Sequence, residues 1–115
     1  MKFKAIVTGG AGFIGSHLVE LLLKKNYSVI VIDNFATGRR NNLNKVLNKI
    51  KIVNADISNY EKIQKYFKNI DYVFHLAGLA DIVPSIENPE KYFDTNVKGT
   101  LNILKASKKN NIKKV

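Results

Sequence analysis

Four short apolar runs, rich in β-branched and aromatic residues, recur along this chain and alternate with stretches of helical spacing. They are Phe3–Thr8 (FKAIVT), Ser28–Ile32 (SVIVI), Ile50–Val53 and Asp71–His75 (DYVFH). Runs this short suit strands buried on both faces better than helices. Between them, Phe13–Lys25 carries Ile14, Leu18, Leu21 and Leu22 at the spacing of one helical face. Asn26 suits the left-handed residue that ends such a helix. A weaker helix is expected near Leu43–Leu47. Ser58 reads as an N-cap, with Glu61 as its capping-box partner, for a helix through Ile63 and Phe67. Pro89 fits the first turn of a long helix carrying Phe93, Val97, Leu101 and Leu104. Ile112–Lys114 looks like entry into a further strand. Strands alternating with helices pack as right-handed βαβ units, so the expected class is α/β, a doubly wound parallel sheet.

Composition narrows the chemistry. There is no cysteine, which removes disulfides, thiolate nucleophiles and Cys-based zinc sites. His17 and His75 are the two histidines, too few for a metal cluster, and no metal site is expected. No apolar run approaches the roughly 20 residues that cross a bilayer, and MKFKAIVTGG is not laid out as a signal peptide. A cytoplasmic protein with no membrane partner is expected. Nineteen Lys plus Arg oppose nine Asp plus Glu, a formal net charge of +10. Such a balance suits nucleic-acid binding. However, seventeen of the nineteen are Lys, dispersed from Lys2 to Lys114, and Arg occurs only at Arg39 and Arg40. Arg is the residue that base recognition favours. The adopted reading is a solvated, lysine-rich surface with no nucleic-acid partner.

In an open parallel sheet, ligands bind beyond the carboxyl ends of the strands. Glycines and short carboxylates follow all four runs here: Gly9 to Gly15, then Asp33-Asn34, Asp56-Ile57, and Leu76-Ala77-Gly78. The first string follows a strand and opens a helix, the setting of a dinucleotide fingerprint. Glycine permits the tight turn, leaves backbone N–H groups open to a pyrophosphate, and at Gly15 lets the helix pack closely. Asp33 stands where a carboxylate accepts hydrogen bonds from both ribose hydroxyls, favouring NAD over NADP. Arg39 and Arg40 in the same loop keep a 2′-phosphate open as the other choice. Asp56 fits the adenine amino group with Ile57 against the ring, or equally an Asx turn leaving a strand. His75 reads as a satisfied core histidine. Asn96, expected on the core side of the last helix, should tie the loop after strand four in place.

TGGAGFIGSHLVE (Thr8–Glu20), DNFATGRR (Asp33–Arg40), Asp56-Ile57, HLAG (His75–Gly78) and NVKGTLNIL (Asn96–Leu104) together resemble the extended short-chain dehydrogenase/reductase family. The likeness is to its NAD-dependent nucleotide-sugar epimerases and dehydratases, among them UDP-glucose and UDP-N-acetylglucosamine 4-epimerases, and it covers essentially the whole chain. The resemblance implies a Rossmann-type sheet of strand order 3-2-1-4 with the start of a fifth strand. It implies an NAD-binding domain over 1–115, truncated at its carboxyl end. It implies cofactor contacts from Gly9, Gly12, Phe13, Ile14, Gly15, Asp33, Asn34, Thr37, Gly38, Asp56, Ile57, Leu76, Ala77, Gly78 and Asn96. Leu79–Glu87 would face the nicotinamide and sugar, with Ser85 as a sugar contact. Where some 4-epimerases carry a Lys after the Ala-Gly pair, Ala80 and Asp81 stand. Family chemistry uses a Tyr with a Lys four residues on. Tyr27, Tyr60, Tyr66, Tyr72 and Tyr92 are followed at that offset by Val31, Gln64, Ile70, Leu76 and Asn96. No catalytic residue is therefore assigned. The expected function is the NAD-binding part of an enzyme acting on a nucleotide sugar by transient hydride transfer, with a homodimer as one assembly. The alternative is a stand-alone dinucleotide-binding or sensor module.

Overall fold

The structure, a computed structural model, describes residues 2–115. Strands β1 (Lys4–Thr8), β2 (Ser28–Asp33), β3 (Lys51–Asn54) and β4 (Tyr72–His75) form one parallel sheet in the order β3-β2-β1-β4. This is the expected doubly wound, Rossmann-like architecture. The register sets Thr8 beside both Ile32 and His75, and Asp33 beside Asn54, so the strand ends lie level at one edge.

The period of two along each strand divides the core. Ala5, Val7, Val29 and Val31 point to one face, where Val19 and Leu22 of helix α1 (Phe13–Lys24) and Leu43 and Val46 of a 3₁₀ segment (Arg40–Lys49) cover them. Ile6, Ile32, Val53 and Val73 point to the other face. There they meet Ile63 of α2 (Tyr60–Ile63), Phe67 of its 3₁₀ extension (Gln64–Phe67), and Ile103 and Ala106 of α5 (Gly99–Lys109). Two short helices, α3 (Ile82–Glu87) and α4 (Pro89–Phe93), precede α5, and a π turn (Asp94–Lys98) joins α4 to it. Asn26 ends α1 in the left-handed region, φ 66°.

Several local expectations are corrected. The buried face of α1 is Gly15, Ser16, Val19 and Leu22, while Ile14 and Leu21 are exposed. Small residues turn inward because the helix lies hard against the glycine loop. The long helix is rotated in the same sense. Phe93, Val97, Leu101 and Leu104 are exposed, and Gly99, Asn102, Ile103, Ala106 and Ser107 face the core. A Cβ on Gly99 would lie 2.6 Å from Ile57 Cδ1, and the Asn102 amide donates to the Ile57 carbonyl at 2.8 Å. Those two contacts fix the rotation. The helix near Leu43–Leu47 is of 3₁₀ type. Ser58 does not cap α2: its N–H and hydroxyl both donate to Asp56 Oδ1, and the N-cap is Asn59. Helix α3 was not expected and buries no residue. Asn96 is exposed, not core-facing. The outer edge of β4 is partly paired, with Lys113 N–H donating to Asp71 O and Val73 N–H to Lys114 O, each at 3.0 Å, which is the start of a fifth strand.

Candidate functional site

A cleft of about 390 Å³ opens beyond the carboxyl ends of the strands, within the size range of small-molecule sites. Its first wall is the turn after β1. Gly9 adopts φ +70°, a conformation that L side chains rarely adopt. The turn closes with Gly12 N–H donating to Gly9 O at 3.1 Å. Gly15 cannot carry a Cβ without striking the Gly9 carbonyl oxygen, and Gly10 packs its Cα face onto Val31. At Gly12, by contrast, a Cβ would meet only Gly9 O at 3.3 Å and otherwise project into open space. Gly12 is the N-cap of α1, makes no side-chain cap bond, and is followed by no acidic residue in the first turn. The first turn therefore presents N–H groups and the positive end of the helix dipole.

Asp33 ends β2 and is buried. Its Oδ2 accepts from Ala11 N–H at 3.0 Å and its Oδ1 from Phe35 N–H at 2.8 Å. The carboxylate thus fastens the glycine turn to the next loop and keeps lone pairs to spare. Gly38 passes so close that a Cβ there would lie 2.9 Å from Asp33 Oδ2. Ala11 O accepts from Arg39 N–H and from the Asn42 amide at 3.0 and 2.8 Å, completing this cross-link. Arg39 and Arg40 are exposed and do not line the cleft.

Asp56 follows β3 in the Asx turn that its position allowed. Burial alone would raise its pKa. The Ser58 N–H and hydroxyl, the Asn34 side chain and the charge of Lys91 outweigh burial and hold it below 3.8. Ile57 lines the cleft but is mostly buried beneath Gly99. After β4, Thr8 Oγ1 accepts from Leu76 and Ala77 N–H at 3.0 and 3.1 Å. Asn96 clasps Leu79, accepting from its N–H and donating to its carbonyl, both at 2.8 Å. That is the loop-fastening role expected of it, performed from an exposed position.

Of the residues singled out in the sequence, Gly9, Gly12, Asp33, Asn34, Thr37, Gly38, Asp56, Ile57, Leu76, Ala77 and Gly78 line the cleft. Gly15 and Asn96 stand behind it, one under the turn and one holding the loop. Phe13 and Ile14 are exposed on the first turn of α1, outside the lining. Ser85 is outside it too, its hydroxyl donating to Ile82 O within α3. Glu90, Lys91, Asp94 and Thr95 line the cleft without having been anticipated. The signal was available: a helix crossing back after β4 must begin at the carboxyl edge of the sheet, so its first turns border that cleft. Among the described residues, no group of three or more His, Asp or Glu is placed to hold a metal ion, and no helix is long and apolar enough to cross a membrane.

Residues 5–115 match the model of the NAD dependent epimerase/dehydratase family. The chain is 46% identical over 111 residues to a putative UDP-glucose 4-epimerase of Methanocaldococcus jannaschii, covering 96% of this chain and 35% of that protein. It superposes on the UDP-glucose 4-epimerase of Thermotoga maritima, solved with UDP-glucose, with a TM-score of 0.89 and 38% identity, over 96% of this chain and 35% of the other. A dTDP-glucose 4,6-dehydratase of Streptomyces venezuelae, solved with NAD bound, gives a TM-score of 0.89 at 32% identity, over 96% and 37%. The chain spans about a third of the length of these relatives.

Proposed function

The chain belongs to the NAD dependent epimerase/dehydratase family, and from that premise we propose that residues 1–115 are the NAD-binding part of an enzyme acting on a nucleotide sugar. One observation carries this reading. The bare Gly12 cradle, the Asp33 carboxylate, Asp56 and the Leu76–Gly78 segment line a single cleft at the carboxyl edge of the sheet. The cradle fits a pyrophosphate, because a Cβ at Gly12 would project into the space that the phosphates need. N–H groups of the first turn of α1 neutralise that charge, with Phe13 and Ile14 flanking it and Gly15 holding the helix close. The spare lone pairs of Asp33 accept the ribose hydroxyls, Asn34, Thr37 and Gly38 border that ribose, and Asp56 with Ile57 receives the adenine.

Leu76, Ala77 and Gly78 form the floor under the nicotinamide half, with Asn96 fixing its far end and Ser85 on the sugar side. Bound there, NAD supplies reversible hydride transfer at a sugar carbon. The residues of this chain bind and orient the cofactor, and none is assigned to move the proton. A general acid or base must have a matched pKa and lie within hydrogen-bond reach of the reacting hydroxyl. The 115 residues hold no Tyr with Lys four positions on.

Calorimetric titration of the chain with NAD and NADP tests the binding. NAD is expected to bind more tightly, because a carboxylate repels a 2′-phosphate and neither Arg39 nor Arg40 lines the cleft. Tighter NADP binding would overturn the assignment of Asp33. Incubation with NAD and a panel of nucleotide sugars, followed by chromatography, should yield no converted sugar from these 115 residues. Any product above the protein-free blank would reveal a catalytic group elsewhere in them.

A further inference from the structure

Thr8, His75, Thr100 and Asn96 are joined by a chain of hydrogen bonds running along the back of the cleft. Thr8 Oγ1 lies 2.7 Å from His75 Nδ1, His75 Nε2 lies 2.9 Å from Thr100 Oγ1, and Thr100 Oγ1 donates to Asn96 O at 2.7 Å. The direction of each bond follows from donor and acceptor counts. A hydroxyl has one proton and two acceptor positions. Thr8 Oγ1 already accepts from the N–H groups of Leu76 and Ala77. Leu76 N–H is shared with the Thr8 carbonyl at 3.1 Å, but neither N–H can accept a proton. The hydroxyl proton therefore goes to its remaining partner, His75 Nδ1, which is left unprotonated.

The other end gives the same answer independently. A backbone carbonyl cannot donate, so the Thr100 proton goes to Asn96 O, and toward His75 that hydroxyl can only accept. His75 Nε2 must then carry the proton. Both ends require the same neutral tautomer, and a doubly protonated ring would set Nδ1–H against the Thr8 proton. We propose that His75 is a positioning residue, fixed as its Nε2–H tautomer in a one-way relay that runs from Thr8 to the Asn96 carbonyl and locks the Leu76–Leu79 segment against the glycine turn. The relay has a place to act. The positive-φ Gly9 touches that segment, since a Cβ on it would lie 2.8 Å from Ala77 N. Thr8 is fully buried at the end of β1 and holds the near end of the segment, while the Asn96 side chain holds Leu79 at the far end.

The importance of this segment for cofactor binding rests on the function proposed above, whereas the tautomer does not. The first measurement is therefore made without ligand. A long-range ¹H–¹⁵N correlation spectrum near neutral pH, with His75 told from His17 through His75→Gln, should show an unprotonated Nδ1 and a protonated Nε2. A protonated Nδ1 would overturn the relay. The second measurement is NAD affinity. Thr8→Val removes the hydroxyl at nearly constant volume and should weaken NAD by about tenfold. Thr8→Ser keeps the hydroxyl and should stay within about threefold of the parent. Equal affinities for two variants with parental melting temperatures would also overturn the proposal. Should Thr8→Val fail to fold, Thr100→Val replaces it. Thr100→Val should then weaken NAD more than Thr100→Ser, which keeps the hydroxyl, and equal affinities for those two variants would overturn the proposal. If the parent chain binds no NAD, the function falls while the spectrum still decides the relay.

Discussion

The two walls of the cleft are built differently. On the β1–β2 side, the glycine turn and the loop after Asp33 are cross-linked through a buried carboxylate and the Ala11 carbonyl. On the far side, residues 79–87 run into α3, bury no residue and expose Ile82, Val83 and Ile86. The clasp of the exposed Asn96 on Leu79 holds the start of that segment. The carboxyl edge of a parallel sheet thus confers rigidity only where a buried polar group ties successive loops together. Where few apolar contacts are buried, local opening is cheap.

The most severe test of the stiff wall is Gly15→Val. The new side chain would strike the Gly9 carbonyl and sit 2.8 Å from Gly10 Cα, both backbone with no rotamer to yield. Overpacking of this kind costs about 1–3 kcal/mol or more. Urea unfolding should show that loss, and NAD binding should vanish. A parental midpoint with intact binding would mean that the wall is softer than its contacts imply.

Asp33→Ala comes next, because it leaves the N–H groups of Ala11 and Phe35 without their acceptor. The Ala11 donor, buried and so stranded, costs about 1–3 kcal/mol, and the part-buried Phe35 donor less. NAD affinity should fall by about tenfold or more. Asp33→Asn sharpens the result: the amide oxygen keeps one of the two bonds, so part of the stability should return while the preference for NAD over NADP narrows.

On the loose wall, Asn96→Ala should cost only about 1 kcal/mol, because the two hydrogen bonds to Leu79 that it removes are made at an exposed site. Its effect should be local. Amide hydrogen exchange should quicken at residues 79–87 and stay unchanged in β1 and β2. Faster exchange throughout the sheet would erase the distinction between the walls.

The mildest perturbation is acid. Asp56 has a folded pKa below its ordinary 3.8, so it stabilises the fold above that value and ceases to do so as pH falls through the lower folded one. Burial likewise holds the His75 pKa below 6.5, and Thr8 and Thr100 face its two nitrogens without a charged partner. The neutral ring contributes fully above 6.5, and its contribution is lost as pH falls through its depressed value. Melting temperature should therefore decline gently on acidification, in two steps. His75→Gln should remove the step at higher pH and Asp56→Asn the step at lower pH.

Much of the stiff wall was legible in the sequence, because glycine spacing and strand-end carboxylates encode a backbone path that few other residues can follow. Gly9, Gly12, Asp33 and Asp56 reached the cleft on that logic alone. The loose wall was less so. Apolar spacing placed Phe93, Val97, Leu101 and Leu104 toward the core, yet the helix is turned so that Gly99 and Asn102 meet Ile57. Hydrophobic periodicity reports that one face is apolar. It does not report whether the sheet or some other surface will meet that face.

The sequence by itself determined the strand–helix alternation and the glycine turn, which follow from local propensity, alternation and steric demands on single residues, while the strand order and the family came from the resemblance that its motifs carry. Only the tertiary structure decided that Asp33 serves as a structural acceptor while keeping capacity for a ligand. It alone decided that Asn96 works from the surface and that the two nitrogens of His75 face Thr8 and Thr100. The physical reason is the same in each case. Hydrogen-bond satisfaction is a property of groups brought together from distant parts of the chain, Thr8 with His75 and Ala11 with Asp33, and no local pattern records which partners remain once the backbone has taken its share.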